Sequence, residues 1–274
     1  MKKKSFAKKS LGQNFLQSSK VRDRILESVG DLKDKNILEI GPGLGFLTNK
    51  LIAKKANVTA IELDERAVEI LQKDFGHRDN FHLIHGDFLK QDLDKLFEQK
   101  EPALVKMGNK KYSIIANIPY NITSPILKKV LANTTNKPES MTLMVQKEVG
   151  KKICPHGKNF KRSILSLSVE IFAEAELLFL VDRENFSPVP KVDSAIIQVR
   201  TRPEPLVTPE MERDFFTVVH AGFSSKRKKL GNVIGSFFGI ESNKILGNID
   251  PNRRAETLNV DEWIDVTKNF QNNG

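Results

Sequence analysis

The sequence predicts an α/β fold, an open sheet flanked by helices, followed by a small all-helical domain. Three observations carry that reading. Apolar runs of strand length recur between stretches of helical periodicity from residue 21 to about residue 204. A glycine-rich turn, Gly41-Pro-Gly-Leu-Gly45, joins the first of these runs to a helix, as in a ligand-binding βα turn. Beyond the proline-rich linker 202–209 no strand alternation remains. The expected organisation is a basic arm over 1–20, an α/β domain over 21–204 and a helical domain over 205–274.

The elements follow in order. Residues 1–20 carry Lys2, Lys3, Lys4, Lys8, Lys9 and Lys20 and no acid. Such a tail is either a solvated arm or a phosphate-binding one. Phe15 and Leu16 within it suit docking on the body rather than solvation. A helix is expected over 21–29, with Val21, Ile25, Leu26 and Val29 on one face. Strands follow at 36–40, 57–62 and 81–85, with helices from Phe46 to about Lys55 and from Glu65 to about Phe75. Residues 98–111 read as a charged surface excursion. The run Tyr112 to Ala116 is a buried strand, ended at Pro119, which has no N–H for a ladder. A helix over 122–131, a strand over 141–145, helices over 147–153 and 164–172 and strands over 177–181 and 195–200 complete the first domain. Two prolines in Phe186-Ser-Pro-Val-Pro-Lys-Val-Asp-Ser194 stiffen the last connection and should hold Phe186 out of a sheet. Helical runs at 215–223, 230–238, 244–246 and 260–270 make up the C-terminal domain.

Composition narrows the classes. The chain has 274 residues, is 39% hydrophobic and carries a net charge of +10, which suits a polyanionic partner, nucleic acid before membrane. No apolar run approaches the length of a membrane span. The lysine-rich start lacks an apolar signal core, so the expectation is an uncleaved, cytoplasmic protein. The single Cys154 excludes an intrachain disulfide and a cysteine-based zinc site, and the five histidines show no ligand spacing. No metal is expected.

The chemistry concentrates at strand ends. Asn117-Ile-Pro-Tyr120 places an amide oxygen, the carbonyl of Ile118 and an aromatic ring at a carboxyl edge, stiffened by Pro119. Two acceptors side by side match the two hydrogens of an exocyclic nucleobase amine, and a ring beside them stacks on the base. Pulling those hydrogens out of plane restores lone-pair density to nitrogen. Glu62 lies 21 positions after Gly41, where a carboxylate takes ribose hydroxyls of a bound nucleoside. Gly41 and Gly43 admit a ligand close to the backbone. Asp87 suits an adenine amine, with Phe88 near the ring. Phe186 is the candidate second wall for an extruded base. The glycine spacing, Gly-x-Gly-x-Gly, is not that of nicotinamide enzymes. Lys158 and Arg162, with Lys226, Arg227, Lys228 and Lys229, are candidate phosphate contacts; a solvated face is the alternative for each.

Five motifs taken in order, Gln13-Asn-Phe-Leu16, Glu39-Ile-Gly-Pro-Gly-Leu-Gly45 with Glu62, Gly86-Asp87, Asn117-Ile-Pro-Tyr120 and Phe186 to Ser194, resemble the rRNA adenine dimethyltransferases from about Lys9 to the end of the chain. That resemblance implies a Rossmann-like domain dependent on S-adenosylmethionine (SAM), followed by a small helical domain. It implies that Asn14, Leu16, Gly41, Glu62, Asp87 and Asn117 bind or border SAM, and that Asn117, Ile118 and Tyr120 hold the target adenine. The implied reaction is N6 dimethylation of two adjacent adenines near the 3′ end of small-subunit rRNA, in the 30S particle, by a monomer. Alternatives are a large-subunit methylase of the erythromycin-resistance type, an N6-adenine DNA methylase and a ribosome-assembly factor with secondary catalysis.

Overall fold

The computed structural model describes residues 6–8, 11–98, 111–157 and 160–273. The expected excursion over 98–111 falls almost wholly outside them, as does Lys158. In chain order the elements are β1 (Phe15–Leu16), α1 (Ser19–Val29), β2 (Asn36–Ile40), α2 (Phe46–Ala53), β3 (Asn57–Glu62), α3 (Glu65–Phe75), β4 (Phe81–His85), α4 (Leu93–Glu98), β5 (Tyr112–Asn117), α5 (Thr123–Ala132), β6 (Ser140–Gln146), α6 (Lys147–Ile153), α7 (Ile164–Glu170), β7 (Ala173–Val181), β8 (Phe186–Ser187), β9 (Ser194–Thr201), α8 (Pro209–Phe223), α9 (Leu230–Phe238), α10 (Ser242–Leu246) and α11 (Val260–Asn273).

Two compact units result. The first comprises Met1–Gly150 and Ala175–Thr201, the second Lys151–Glu174 and Arg202–Gly274. Residues 151–174, read from sequence with the strands, therefore group with the C-terminal helices.

The main sheet has seven strands in the order β4-β3-β2-β5-β6-β9-β7. β4, β3, β2, β5 and β6 run parallel, and β9 runs antiparallel to β6. β2 is buried at every position and β3 at every position but its first. Strands of a parallel sheet are covered on both faces, which is why apolar residues stand at adjacent positions, Ile37-Leu38 and Ala60-Ile61, and why Glu39 and Thr59 are buried among them. The parallel register brings the residues that follow β2, β3, β4 and β5 to one edge.

Helix ends are set by local chemistry. Ser18 caps α1 by accepting from the Val21 N–H at 3.3 Å, and Gly30 stops it at φ 87°. Asp64 caps α3, whose buried face carries Ala67 and Leu71.

Phe186 departs from expectation. Far from being held out of a sheet, it pairs with Leu16, and Ser187 pairs with Phe15, in a two-stranded antiparallel ribbon. The leading dipeptide of the loop stays extended, and the prolines act only beyond it. Leu16 and Phe186 are both buried, at 3% and 2% exposure, within the apolar cluster that includes Ile25, Leu26 and Phe179.

In the second unit, Trp263, Phe215, Leu230, Ile234 and Ile245 are buried. The Phe223 and Trp263 rings stack at 5.7 Å, and a side chain at Gly222 would collide with the Trp263 ring.

Candidate functional site

The carboxyl edge of β2, β3, β4 and β5 opens onto a cavity of about 670 Å³, within the size range of small-molecule sites. Asn14, Leu16, Gly41, Gly43, Glu62, Asp87, Phe88, Asn117, Ile118, Pro119 and Tyr120 all line it. They come from five separate stretches of sequence: four are gathered by the parallel register of β2, β3, β4 and β5, and the fifth, with Asn14 and Leu16, comes from the N-terminal segment.

The floor is the turn after β2. Gly41, Gly43 and Gly45 have φ of 64°, 58° and 77°, the left-handed region that glycine tolerates best. At Gly43 the missing side chain also matters, because a Cβ there would stand 2.8 Å from the Phe15 ring.

Glu62 is buried at the end of β3. Its Oε2 accepts from the Gly43 N–H at 2.9 Å, and Oε1 accepts from the N–H groups of Leu63 and Asp64, both at 2.8 Å. A carboxylate has about four acceptor positions. The backbone fills three, leaving one open on Oε2. Asp87 accepts from the Leu89 N–H at 2.9 Å through Oδ1. Among the described residues nothing donates to its Oδ2. Phe88 is buried beside it, at 4% exposure.

At the end of β5, the Asn117 Nδ2 donates to the backbone carbonyl of Asn14 at 3.2 Å. A carbonyl can only accept, so this contact fixes which end of the amide is nitrogen. Oδ1 remains as the acceptor. Ile118 lines the cavity as well and is buried, at 1% exposure. The Tyr120 hydroxyl meets Ser194 Oγ at 2.7 Å. Burial raises the pKa of that phenol, the Ser194 bond opposing and the Asp193 charge reinforcing the shift. The ring is thus a neutral wall, pinned at its far end.

Phe186 does not join them: its ring is core, and it lines no part of this cavity. Arg162 also departs from its expected role. It is half-buried, its Nε donates to Glu170 at 3.1 Å, and its backbone N–H donates to the Glu256 carbonyl at 2.9 Å. This guanidinium braces the second unit from within. Lys226, Arg227, Lys228 and Lys229 are all exposed in that unit.

Some site residues carried no readable role in the sequence. Gln13 lies inside a recognisable motif, but its partner Asp64 is 51 residues away. Ser194 closes the proline loop, yet only the β9 register brings it to Tyr120. Glu39 lines the cavity and is buried at 1% exposure, its Oε2 accepting from the Thr48 hydroxyl at 2.7 Å. Burial pushes its carboxyl up to about 8, with the Thr48 bond opposing and the Glu62 charge adding to the shift.

That shift gives a pH prediction. The folded carboxyl keeps its proton up to about pH 8, whereas the unfolded one releases it near 4.5. Stability should therefore fall as pH rises across that window, by at most about 1.4 kcal/mol per unit from this group. Glu39→Gln keeps an acceptor for Thr48 and should flatten the decline. Urea unfolding of both proteins at about pH 5 and about pH 8 checks this; parallel pH dependence would exclude a protonated Glu39.

Comparison with known proteins agrees with this geometry. A family model described as ribosomal RNA adenine dimethylase matches residues 4–272. A protein of Enterococcus faecalis called ribosomal RNA small subunit methyltransferase A is 35% identical over 286 positions, covering 100% of this chain and 94% of its own. Its namesake in Listeria welshimeri is 39% identical over 271 positions, covering 95% and 89%. Among solved structures, the 23S rRNA methyltransferase ErmE superposes with a TM-score of 0.71 at 26% identity, over 94% of this chain and 100% of that one. A dimethyladenosine transferase from Plasmodium falciparum gives 0.75 at 23% identity, over 95% and 98%, a likeness of fold. With a buried glycine-turn cavity, an oriented Asn117 and a family match over nearly its whole length, the chain belongs to the ribosomal RNA adenine dimethylase family.

Proposed function

We propose that this chain dimethylates N6 of two adjacent adenines near the 3′ end of small-subunit rRNA, using SAM, during assembly of the 30S particle in the cytoplasm. The observation that carries the reading is the orientation of Asn117 beside Tyr120 at the mouth of the cavity. The names of whole-length relatives support the substrate class.

The residues present fit SAM. The glycine turn admits close approach, Glu62 keeps one acceptor position for a ribose hydroxyl, and the open Oδ2 of Asp87 suits an adenine amine. When bound, SAM supplies an electrophilic methyl group on a sulfonium. The chain supplies position and electrostatics. Asn117 Oδ1 and the Ile118 carbonyl accept the two hydrogens of the target amine and so raise electron density on its nitrogen. The Tyr120 ring stacks on the base, which must be unstacked from the RNA to arrive. The N-methylated adenine cation is acidic enough to lose its proton to water, so no strong base is needed.

The arm read over 1–20, of which 1–5, 9 and 10 lie outside the described residues, is assigned to the SAM site through Leu11 to Gln17, and 205–274 is read as an RNA-binding domain, in a protein acting as a monomer. No group of described residues could hold a metal, and no helix among them is long and apolar enough to cross a membrane.

Glu62→Ala should weaken SAM binding by about 1.5–3 kcal/mol, the range for hydrogen bonds to a charged group. Calorimetry showing unchanged affinity would take Glu62 out of the site. The function itself is tested by radiolabelled methyl transfer to small subunits, large subunits and DNA, with mapping of the product. Label confined to N6 of small-subunit adenines is expected. Label in large-subunit rRNA would favour the erythromycin-resistance type of activity, and label in DNA alone would sink both.

A further inference from the structure

A buried carboxylate with no part in the proposed chemistry ties the N-terminal segment to the body. The Asp64 side chain has no exposed surface. Its Oδ2 accepts from Gln13 Nε2 at 3.1 Å and its Oδ1 from Lys8 Nζ at 3.4 Å. Arg66 closes on the same group, Nε to Oδ1 at 3.0 Å and Nη2 to Oδ2 at 2.6 Å. Gln13 is held at its other end too, Oε1 accepting from the Lys8 backbone N–H at 2.8 Å. The Arg66 guanidinium lies 4.3 Å over the Phe6 ring, and Phe6 meets Phe15 edge-on at 6.0 Å.

The neighbour of Gln13 is Asn14, whose carbonyl receives the Asn117 amide. We infer that Gln13 and Asp64 are positioning residues for Asn117: the Gln13–Asp64 latch fixes the Asn14 carbonyl, and that carbonyl sets which way the Asn117 amide faces. The inference rests on the adenine reading above. If the carbonyl withdraws, the amide is free to turn over and present N–H groups to an amine that needs acceptors. The latch also shares a turn with the SAM site, since Glu62 Oε1 accepts from the Asp64 N–H. The adjacent Arg66 bonds hold the Asp64 carboxyl well below the usual carboxylate range, so it remains an acceptor at neutral pH.

Gln13→Ala removes the latch from a partly exposed side chain. Asp64→Asn weakens it from the other end, taking away the charge and one of the two acceptor oxygens while keeping a good helix cap. Amide hydrogen exchange over residues 11–17 of the full chain should quicken in both. Single-turnover methyl transfer at saturating SAM should slow about ten- to a hundredfold, the scale of a misplaced catalytic group. Added to Asn117→Ala, Gln13→Ala should cost nothing further. Unchanged exchange would overturn the latch whatever the activity. Losses that multiply in the double variant would overturn the action through Asn117. Failure of the adenine reading has a separate signature: no rRNA methylation by the unmodified chain, with exchange still dependent on Gln13, which would also end the positioning role.

Discussion

Asn117→Ala is expected to transfer methyl groups about 10²–10³-fold more slowly than the unmodified chain, the usual cost of removing one preorganised group aimed at developing charge. The variant keeps the Ile118 carbonyl but loses Oδ1, the acceptor that the Asn14 carbonyl leaves available. Charge on the amine grows as the methyl arrives, so the missing bond weighs more in the transition state than in the bound state. The fall should therefore appear in kcat with little change in particle affinity, which phosphate contacts dominate. Tyr120→Ala should instead remove stacking, about 1–3 kcal/mol per base. It also leaves Ser194 Oγ without its 2.7 Å partner. Single-turnover transfer beside a particle-binding assay separates the cases. Near-normal transfer by Asn117→Ala would refute the acceptor role, and abolished particle binding in both variants would make this turn a docking surface rather than a reaction site.

What could be read in advance followed physical rules of different reach. β2, β3 and β4 were legible to the residue, because apolar runs bounded by turn residues have one economical outcome in a parallel sheet. The glycine turn, Glu62, Asp87 and Asn117 were legible as a set for the same reason: each ends a strand, and parallel strands end together. Two-residue strands carry no periodicity, so the pairing of Phe15–Leu16 with Phe186–Ser187 left no trace in the sequence. Phe186 was misassigned for that reason. An aromatic next to prolines looks like an exposed wall until its partner strand turns it into the core. Arg162 shows the same limit in charge: a basic residue in a basic loop reads as a phosphate contact until Glu170 is brought beside it. The Gln13–Asp64 contact joins residues of ordinary type across 51 positions, and nothing local foretells it.

Replacing Lys226, Arg227, Lys228 and Lys229 together with glutamine should weaken rRNA binding most at low salt and flatten its dependence on salt. Removing one phosphate-binding cation lowers the slope of log affinity against log salt by about 0.7–0.9, so removing four would lower it by up to about 3.6. All four are exposed between α8 and α9. Lys226 and Arg227 follow the end of α8, where cations suit the helix dipole, but Lys228 and Lys229 stand at the start of α9, where they oppose it. Lys229 occupies the cap of α9 without capping it, no acid lies in its first turn, and its Nζ donates to Asn252 at 2.8 Å instead. The Leu230 and Gly231 N–H groups at the start of α9 donate to the Arg253 and Pro251 carbonyls at 2.7 and 2.9 Å, so the side-chain cations, not the helix start, are what this stretch offers an external phosphate. None of the four forms an ion pair with a described acidic residue. SAM affinity should not change, because the cavity residues all belong to the other unit. Filter binding across a salt series, with calorimetry for SAM, measures both. A salt slope equal to that of the unmodified chain would make the run a solvated surface and move the RNA contact elsewhere.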